Sequence, residues 1–382
     1  MFTLNNDVLS FIESHKEETL TLLKELSQIP APSGKEELRV EFVKKWFEDN
    51  GAKEVIVDDA LNVICPVDCE NKNDIVVFMA HTDLVFPDLT TLPYYTDEEY
   101  AYCPGIGDDT ACLVLLMLVA KYVFKNNLKS SCGVLFVANS CEEGLGNLKG
   151  VRQLMKDYAG RIKEVYTFDG SYNHLVNECV GSHRYELTFT TEGGHSFSAF
   201  GNRNAIAAMA ELITNLYKCE VPKNDGAKTT YNVGIVEGGT SVNTIAQQAK
   251  MLYEYRSDDR DCLAKMKAFF ESEVEKAKKS GKAEIEVKLV GDRPCTGDVD
   301  REHLKKMSDF VIGVCEKYSG MPCVTGSAST DANIPMSLGV PSVCVGSHIS
   351  YGSHTREEKL LISSMPIGFK ITAEIILNYF EI

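Results

Sequence analysis

Hydrophobic positions along the chain follow two periods, which predict alternating strands and helices. Short apolar runs typical of buried strands occur at 74–80, 133–139, 165–168 and 341–345. Stretches with the three-to-four-residue spacing of helices occur at 6–27, 35–50, 110–125, 147–158, 302–318 and 366–380. Ser33, with Glu36 and Glu37 after it, is the predicted start of the second helix. This alternation predicts an α/β layer with a mostly parallel central sheet.

The pattern changes near Gly181, where polar and apolar residues begin to alternate one by one. Such alternation is typical of strands with one exposed face. The predicted elements are, in order, a strand at 183–190, a helix at 203–218, strands at 230–236 and 250–256, a helix at 261–280 and a strand at 283–290. The order βαββαβ is that of a ferredoxin-like domain. We therefore predict that residues 181–292 form a domain inserted into a first domain made of residues 1–180 and 293–382.

Length, charge and cysteine content narrow the class of protein. A chain of 382 residues is longer than one compact core usually accommodates, which agrees with two domains. The net charge of −16 disfavours nucleic acids and anionic membranes as partners. The sequence contains no apolar stretch long enough to cross a bilayer and no secretion signal at its start, so we expect it in the cytoplasm. The 13 cysteines form no Cys-x-x-Cys pair and are expected to be free thiols in a reducing compartment.

Side chains of the types that bind metals follow each apolar strand of the first domain. They are His81 and Asp83 after the first strand, Glu142 and Glu143 after the second, Asp169 after the third, and His348 and His354 after the fourth. In open α/β sheets, ligands bind at the carboxyl ends of the strands. We therefore expect these side chains to converge, although this pattern alone does not choose between His348 and His354.

Asp108 lies in a glycine-rich segment directly before a predicted helix. It is either a helix cap, as aspartate often is, or a carboxylate that bridges two metal ions. Carboxylates from Asp108, Glu143 and Asp169 carry −3 and two divalent ions carry +4, so the site would be near +1 and could hold a hydroxide. Histidine and carboxylate ligands suit zinc, with cobalt or manganese as alternatives.

The adjacent Glu142 and Glu143 point in different directions, which suits two roles. One carboxylate can bind metal while the other takes a proton from a metal-bound water. Asp83 can accept the ring N–H of His81 and so fix its orientation toward a metal. These residues also have structural explanations, such as a solvated acidic loop for the two glutamates and a turn for Asp169-Gly170.

In the inserted domain, three polar residues are candidates for substrate contact. His195 lies in a Gly-Gly-His-Ser loop, and Asn243 lies in a second polar loop. Arg256 ends a predicted strand and could hold a carboxylate. The structural alternatives are a surface-loop position for His195 and an ordinary surface ion pair for Arg256, and the residues alone favour these alternatives.

Eight short motifs occur in an order that resembles one enzyme family. They are AHTD (80–83), GIGDDTA (105–111), SCEEGLGNLKG (140–150), FDGS (168–171), EGGHSFSAFGNRNAI (192–206), GGTSVNTIA (238–246), ASTDANI (328–334) and SHTREEKL (353–360). The chain resembles the dinuclear zinc exopeptidases that include peptidase T, carboxypeptidase G, aminoacylase and succinyl-diaminopimelate desuccinylase, which form metallopeptidase family twenty. The motifs around Glu143 and His195 are most similar to the peptidase T-like branch. The chain departs from the family at Ala328-Ser329-Thr330-Asp331, where Gly-Thr-Asp is usual.

The resemblance implies a role for each candidate in the first domain. One zinc ion would be bound by His81, Asp108 and Asp169, and the other by Asp108, Glu143 and His354, with Asp108 bridging the two. Asp83 would orient His81. Glu142 would be the general base and then the acid that protonates the leaving amine. A cis peptide bond is implied between Asp108 and Asp109.

The resemblance also implies that the inserted domain is a lid that forms a homodimer. His195 would polarise the scissile carbonyl in the active site of the partner and stabilise the oxyanion. Asn243 and Arg256 would hold the carboxylate of the substrate. The implied function is that of a di- or tripeptidase. An N-acyl amino acid deacylase or desuccinylase is the first alternative. The second is a non-catalytic binding protein on the same scaffold, which the presence of Glu142 and all five metal ligands argues against.

Overall fold

The computed structural model describes residues 3–224 and 226–382 and divides into two compact units. The first unit consists of Met1–Glu178 and Gly297–Ile382, and the second, which we call the inserted unit, is Cys179–Thr296. The backbone N–H of Cys179 donates to Thr296 Oγ1 at 2.9 Å, so the two ends of the inserted unit lie side by side. Among the described residues, no helix is both long and apolar enough to cross a membrane.

The elements of the two units follow one another along the chain. Before the insertion they are α1 (Asn6–Ser14), α2 (Lys16–Ser27), α3 (Glu37–Asp49), β1 (Ile56–Val57), β2 (Val63–Val67), β3 (Ile75–His81), β4 (Tyr95–Thr96), β5 (Tyr100–Tyr102), α4 (Cys112–Lys125), β6 (Gly133–Asn139), α5 (Lys149–Asp157), β7 (Ile162–Phe168) and β8 (His174–Cys179). In the inserted unit they are β9 (Gly181–Thr190), β10 (Gly194–His195), α6 (Ala205–Leu216), β11 (Thr229–Gly238), β12 (Thr244–Ile245), β13 (Gln248–Ser257), α7 (Arg260–Lys279) and β14 (Glu284–Arg293). After it they are α8 (Arg301–Ser319), β15 (Val324–Ala328), α9 (Asn333–Ser337), β16 (Ser342–Val345), β17 (Ser350–Tyr351), β18 (Lys359–Leu361) and α10 (Met365–Leu377).

An eight-stranded sheet forms the centre of the first unit, in the order β1-β2-β6-β3-β7-β16-β8-β15. The four strands β6, β3, β7 and β16 are parallel neighbours, while β2 and β8 pair with them in the antiparallel direction. Every residue of β3, β6 and β16 is buried, which explains why their sequences are continuous apolar runs. The predicted α/β fold with a mostly parallel sheet is confirmed. A smaller sheet in the order β17-β18-β5-β4 belongs to the same unit.

Two predicted helices differ from those in the structure. The stretch 6–27 forms two helices, because the backbone at His15 leaves the helical region between α1 and α2. The next helix begins at Glu37, and Ser33 does not cap it. Instead, the Ser33 hydroxyl donates to the Asp83 carboxylate at 2.5 Å. A contact with a residue distant in sequence therefore replaces the local cap that the sequence predicted.

The inserted unit contains an antiparallel sheet in the order β11-β13-β9-β14, on which α6 and α7 pack. When only the four strands of this sheet are numbered along the chain, their order is 2-3-1-4, which is the ferredoxin-like arrangement, as predicted. Its core includes side chains from the strands and both helices that are at most 2% exposed, namely Leu187, Phe189, Leu212, Met251, Tyr253 and Phe270. β11 lies at the edge of this sheet, and most of its residues are exposed.

Candidate metal centre

The carboxyl ends of three neighbouring parallel strands bring acidic and imidazole side chains to one edge of the central sheet. His81 is the last residue of β3, and Asp169 directly follows β7. Glu142 and Glu143 follow the end of β6 in the next loop. Since β3 lies between β6 and β7, these strand ends are adjacent. His354 reaches the same place from the loop between β17 and β18.

The carboxylate of Asp108 lies between two histidines. Its Oδ1 is 3.2 Å from His81 Nε2, and its Oδ2 is 3.1 Å from His354 Nε2. His354 Nε2 is also 3.0 Å from Glu143 Oε1. Two sets of ligand atoms, each within 4.8 Å of one another, therefore share Asp108: His81, Asp108 and Asp169, and Asp108, Glu143 and His354. These are the two sets that the resemblance implied. A third set contains His81, Glu142 and Glu143, which places Glu142 beside the other two.

Asp83 is fully buried and holds the segment that carries both glutamates. Its carboxylate accepts the backbone N–H groups of Glu142 at 2.9 Å and Glu143 at 2.8 Å, in addition to the Ser33 hydroxyl. His81 Nδ1 lies 3.1 Å from the Asp83 carbonyl oxygen and 3.4 Å from its carboxylate. Asp83 therefore orients the His81 ring and the two glutamates together.

The turn that carries Asp108 depends on its glycines. The peptide bond between Asp108 and Asp109 is cis, as predicted, and the buried Asp109 accepts the backbone N–H of His81 at 3.0 Å. Gly105 has φ +76°, in the left-handed region that favours glycine. A Cβ atom on Gly107 would lie 2.5 Å from the side chain of Ser350. A larger residue at either glycine would displace the turn.

The side chains of the cluster shift one another's pKa values. Burial and the neighbouring Asp108 carboxylate raise the pKa of Asp169 well above its ordinary value. Burial opposes ionisation of Asp108 as well, but its hydrogen bonds with His354 and His81 hold its pKa below the ordinary range. Hydrogen bonds with Asp108 and Glu143 raise the pKa of His354 to about 10. The carboxylates thus require positive charge beside them, and divalent cations that accept oxygen and imidazole ligands fit this set of donors.

His348 lies apart from this cluster. It is buried, with its Nε2 3.0 Å from the Ser350 hydroxyl and its Nδ1 3.6 Å from Cys112 Sγ. Burial lowers the pKa of His348 to about 4. The structure therefore brings His354, rather than His348, to Asp108.

The three candidates of the inserted unit lie at two places. The pairing of β10 with β12 sets His195 opposite Thr244, and the Ser196 N–H donates to the Asn243 carbonyl at 2.9 Å. The loops of His195 and Asn243 are therefore adjacent, and both residues are exposed. Arg256 lies near the far end of β13, where its Nε and one terminal nitrogen each donate to the Glu254 carboxylate at 3.0 Å. Arg256 is therefore engaged in an ion pair.

Three residues near the cluster received no role in the site from the sequence, and Ser33 was predicted only as a helix start. Ser33 bonds to the Asp83 carboxylate, as described above. Glu358 is buried and accepts the backbone N–H of Asp108 at 2.9 Å. Asp331, in the segment that departs from the family, accepts Asn139 Nδ2 at 2.6 Å, and burial raises its pKa to about 7. The only sequence signal for a role in the site was that Asp331 and Glu358 lie within motifs, and Ser33 had none, because these contacts join residues far apart in the chain.

Comparisons with known proteins relate this arrangement to a family of peptidases. The family model for Peptidase family M20/M25/M40 matches residues 77–378. Among curated proteins, the uncharacterized protein YqjE of Bacillus subtilis (strain 168) is 24% identical over 364 residues, which cover 89% of this chain and 92% of that protein.

Solved structures share the fold of the whole chain. A tripeptidase from Staphylococcus aureus subsp. aureus Mu50 is 23% identical and superposes with a TM-score of 0.73. The superposition covers 94% of this chain and 97% of that chain. The YXEP protein of Bacillus subtilis, described as a dinuclear metal binding peptidase, is 14% identical and superposes with a TM-score of 0.63. The superposition covers 96% of this chain and 99% of that chain. At these identities, the structural likeness shows a common fold.

Proposed function

We propose that this chain, which belongs to the peptidase family M20/M25/M40 and is a hydrolytic enzyme, cleaves short peptides as a di- or tripeptidase. One observation carries the proposal: two sets of ligand atoms share the Asp108 carboxylate, and Glu142 lies in a third set beside them. A tripeptidase with the same fold supports short peptides as the substrate class.

Two divalent ions would be held by His81, Asp108, Glu143, Asp169 and His354. Two imidazoles and three carboxylates are donors that suit zinc, and cobalt or manganese accept the same donors. A dinuclear metal binding peptidase with this fold supports the number of ions. When bound, the ions supply electrostatic polarisation of the scissile carbonyl and of the attacking water.

Glu142 is the proposed general base. Its backbone is held by the Asp83 carboxylate at 2.9 Å, and its side chain is only 7% exposed, so it is presented from a fixed position. Glu142 takes the proton of the attacking water and passes it to the leaving amine. Asp83 keeps the imidazole of His81 turned so that Nε2 faces Asp108.

We also propose that the inserted unit contributes substrate contacts. His195 polarises the scissile carbonyl, and Asn243 with Arg256 binds the substrate carboxylate. The exposed positions of His195 and Asn243 on adjacent loops support these roles. Arg256 would have to exchange the Glu254 carboxylate for that of the substrate.

A homodimer formed through the inserted unit is part of the proposal. The exposed edge strand β11 supports it, because backbone groups at a sheet edge can pair with a second chain. Light scattering coupled to gel filtration tests the dimer, and a monomer at all concentrations would contradict it. All 13 cysteines are free thiols, as expected, which supports the cytoplasm as the compartment.

Metal analysis combined with a substrate panel tests the proposed function. We expect two divalent ions per chain and hydrolysis of di- and tripeptides, which a chelator abolishes and zinc restores. The panel includes N-acetyl and N-succinyl amino acids as the comparison. Cleavage of these compounds alone would replace the peptidase assignment by a deacylase. Failure to cleave either class in the metal-loaded protein would contradict both assignments.

A further inference from the structure

We propose that Glu358 is a positioning residue that joins the turn of Asp108 to the loop of His354. The inference rests on the proposed function, since it concerns how two of the proposed metal ligands are held relative to each other. Glu358 is four positions after His354 in the chain, and its side chain reaches the segment that precedes α4.

The Glu358 carboxylate is the centre of the Asp108 turn. Its side chain is 0% exposed. Oε2 accepts the backbone N–H of Gly105 at 2.7 Å, and Oε1 accepts those of Gly107 at 2.8 Å and Asp108 at 2.9 Å. Three backbone donors from one turn thus converge on the two oxygens of a single carboxyl group. The backbone of Asp108 is therefore fixed by a carboxylate 250 positions away in the sequence.

The absence of a side chain at Gly107 leaves the space that this contact requires. A Cβ atom at Gly107 would lie 3.0 Å from Glu358 Oε1 and 2.5 Å from the Ser350 side chain. The φ of Gly107 is not in the left-handed region, so the need for glycine here comes from this close approach rather than from backbone conformation. The motif GIGDDTA and the motif SHTREEKL are thus two parts of one contact.

The loop that carries His354 needs an anchor of this kind. His354 has φ +65°, in a region that residues other than glycine rarely adopt, and its side chain is 55% exposed. Within the loop, the Thr355 hydroxyl donates to the Gly352 carbonyl at 2.6 Å. Glu358 ends this loop just before β18, so its buried carboxylate ties the loop to the Asp108 turn. The relative position of Asp108 and His354 depends on that tie.

The neighbouring Glu357 provides a matched control. It has the same side chain and the same formal charge, but it is exposed. Replacing Glu357 by glutamine removes one negative charge from the same loop and leaves the buried contact intact. Any effect confined to Glu358 therefore comes from the contact rather than from net charge.

The test compares the zinc affinity of metal-free wild type, Glu358→Gln, Gly107→Ala and Glu357→Gln by titration calorimetry with zinc alone. In Glu358→Gln, the amide sets an N–H donor against a backbone N–H donor, so we expect zinc to bind about 10- to 100-fold more weakly. Gly107→Ala should weaken zinc binding in the same direction, because it pushes the turn away from the same carboxylate. Excess zinc should restore kcat in both variants, and Glu357→Gln should match wild type.

The outcomes separate this inference from the proposed function. A wild-type protein that binds none of zinc, cobalt and manganese ends the proposed function, and the role of Glu358 ends with it. If wild type binds zinc and folded Glu358→Gln binds it equally well, the positioning role is overturned while the proposed function stands. If Glu358→Gln does not fold, the zinc affinity of Gly107→Ala tests the inference instead. A zinc affinity of Gly107→Ala equal to that of wild type overturns the inference.

Discussion

The two units hold most of their candidate residues in opposite ways, with two exceptions. His354 of the first unit is 55% exposed, and Arg256 of the inserted unit is paired with Glu254. In the first unit, the side chains of His81, Asp83 and Glu143 are at most 7% exposed, and each has a hydrogen-bonding or ionic partner within the cluster. In the inserted unit, His195 and Asn243 lie on exposed loops. The difference indicates a division of labour: the groups proposed for the metal ions and the base are positioned before any ligand arrives. Those proposed for substrate recognition lie at the surface of the inserted unit, where a ligand can reach them.

The largest effect is expected from replacing the residue that both ligand sets share. Asp108→Asn removes the negative charge between His81 and His354, so we expect the loss of both ions and a fall of peptide hydrolysis to background. Elemental analysis of zinc per chain and a peptidase assay measure the two effects. Retention of two ions would show that Asp108 is not the shared ligand, and the contrast between the units would lose its basis.

Glu142→Gln separates the base from the ligands within the first unit. We expect kcat to fall about 10²–10⁴-fold, because proton transfer is lost, while two ions remain bound. The matched comparison is Glu143→Gln, which should lose metal as well as activity. A fall in metal content in Glu142→Gln would make Glu142 a ligand instead of the base.

His195→Ala tests whether the exposed loops of the inserted unit take part in the chemistry. We expect kcat to fall about 10²–10³-fold, as for the loss of an oxyanion donor, with unchanged zinc affinity. Phe197→Ala, an exposed neighbour in the same loop, is the control and should keep the kcat of wild type. An unchanged kcat in His195→Ala would confine the chemistry to the first unit.

The effect that is smallest per step of the measurement, about tenfold for each pH unit, is a dependence of zinc affinity on pH. Because its carboxylate partners raise the pKa of His354 to about 10, this imidazole carries a proton at neutral pH in the metal-free protein. Zinc must displace that proton, so affinity should rise with pH by about tenfold per unit between pH 6 and 9 for each proton released. Calorimetry in buffers of different ionisation enthalpy counts the protons. Affinity that does not change with pH would mean that His354 carries no proton in the metal-free protein, or that it does not bind zinc.

Periodicity was sufficient to predict the parallel strands of the central sheet and the four-stranded sheet of the inserted unit, because burial governs both patterns. β3 and β6 are covered on both faces and read as continuous apolar runs, whereas β9 and β14 have an exposed face and alternate. Helix ends were less predictable. Ser33 looked like a local cap, but it bonds to Asp83, fifty positions away.

The sequence predicted the convergence of those candidate residues that lie at the ends of strands. His81 and Asp169 sit at strand ends, so sequence pattern alone placed them together. His354 lies in an irregular loop, and only the resemblance selected it over His348. Glu358 had no signal of its own, because its hydrogen bonds go to the backbone of a turn 250 positions away and leave no spacing pattern.

The ends of the inserted unit meet, with Cys179 bonded to Thr296, so the chain leaves the first unit and returns at a single point. Because the segment between these residues begins and ends at one place, its presence does not change the order of the strands in the central sheet. Such an insert can be lengthened, shortened or exchanged while the central sheet of the first unit keeps its connections. Recognition of new substrates could therefore evolve by swapping one contiguous segment of the gene.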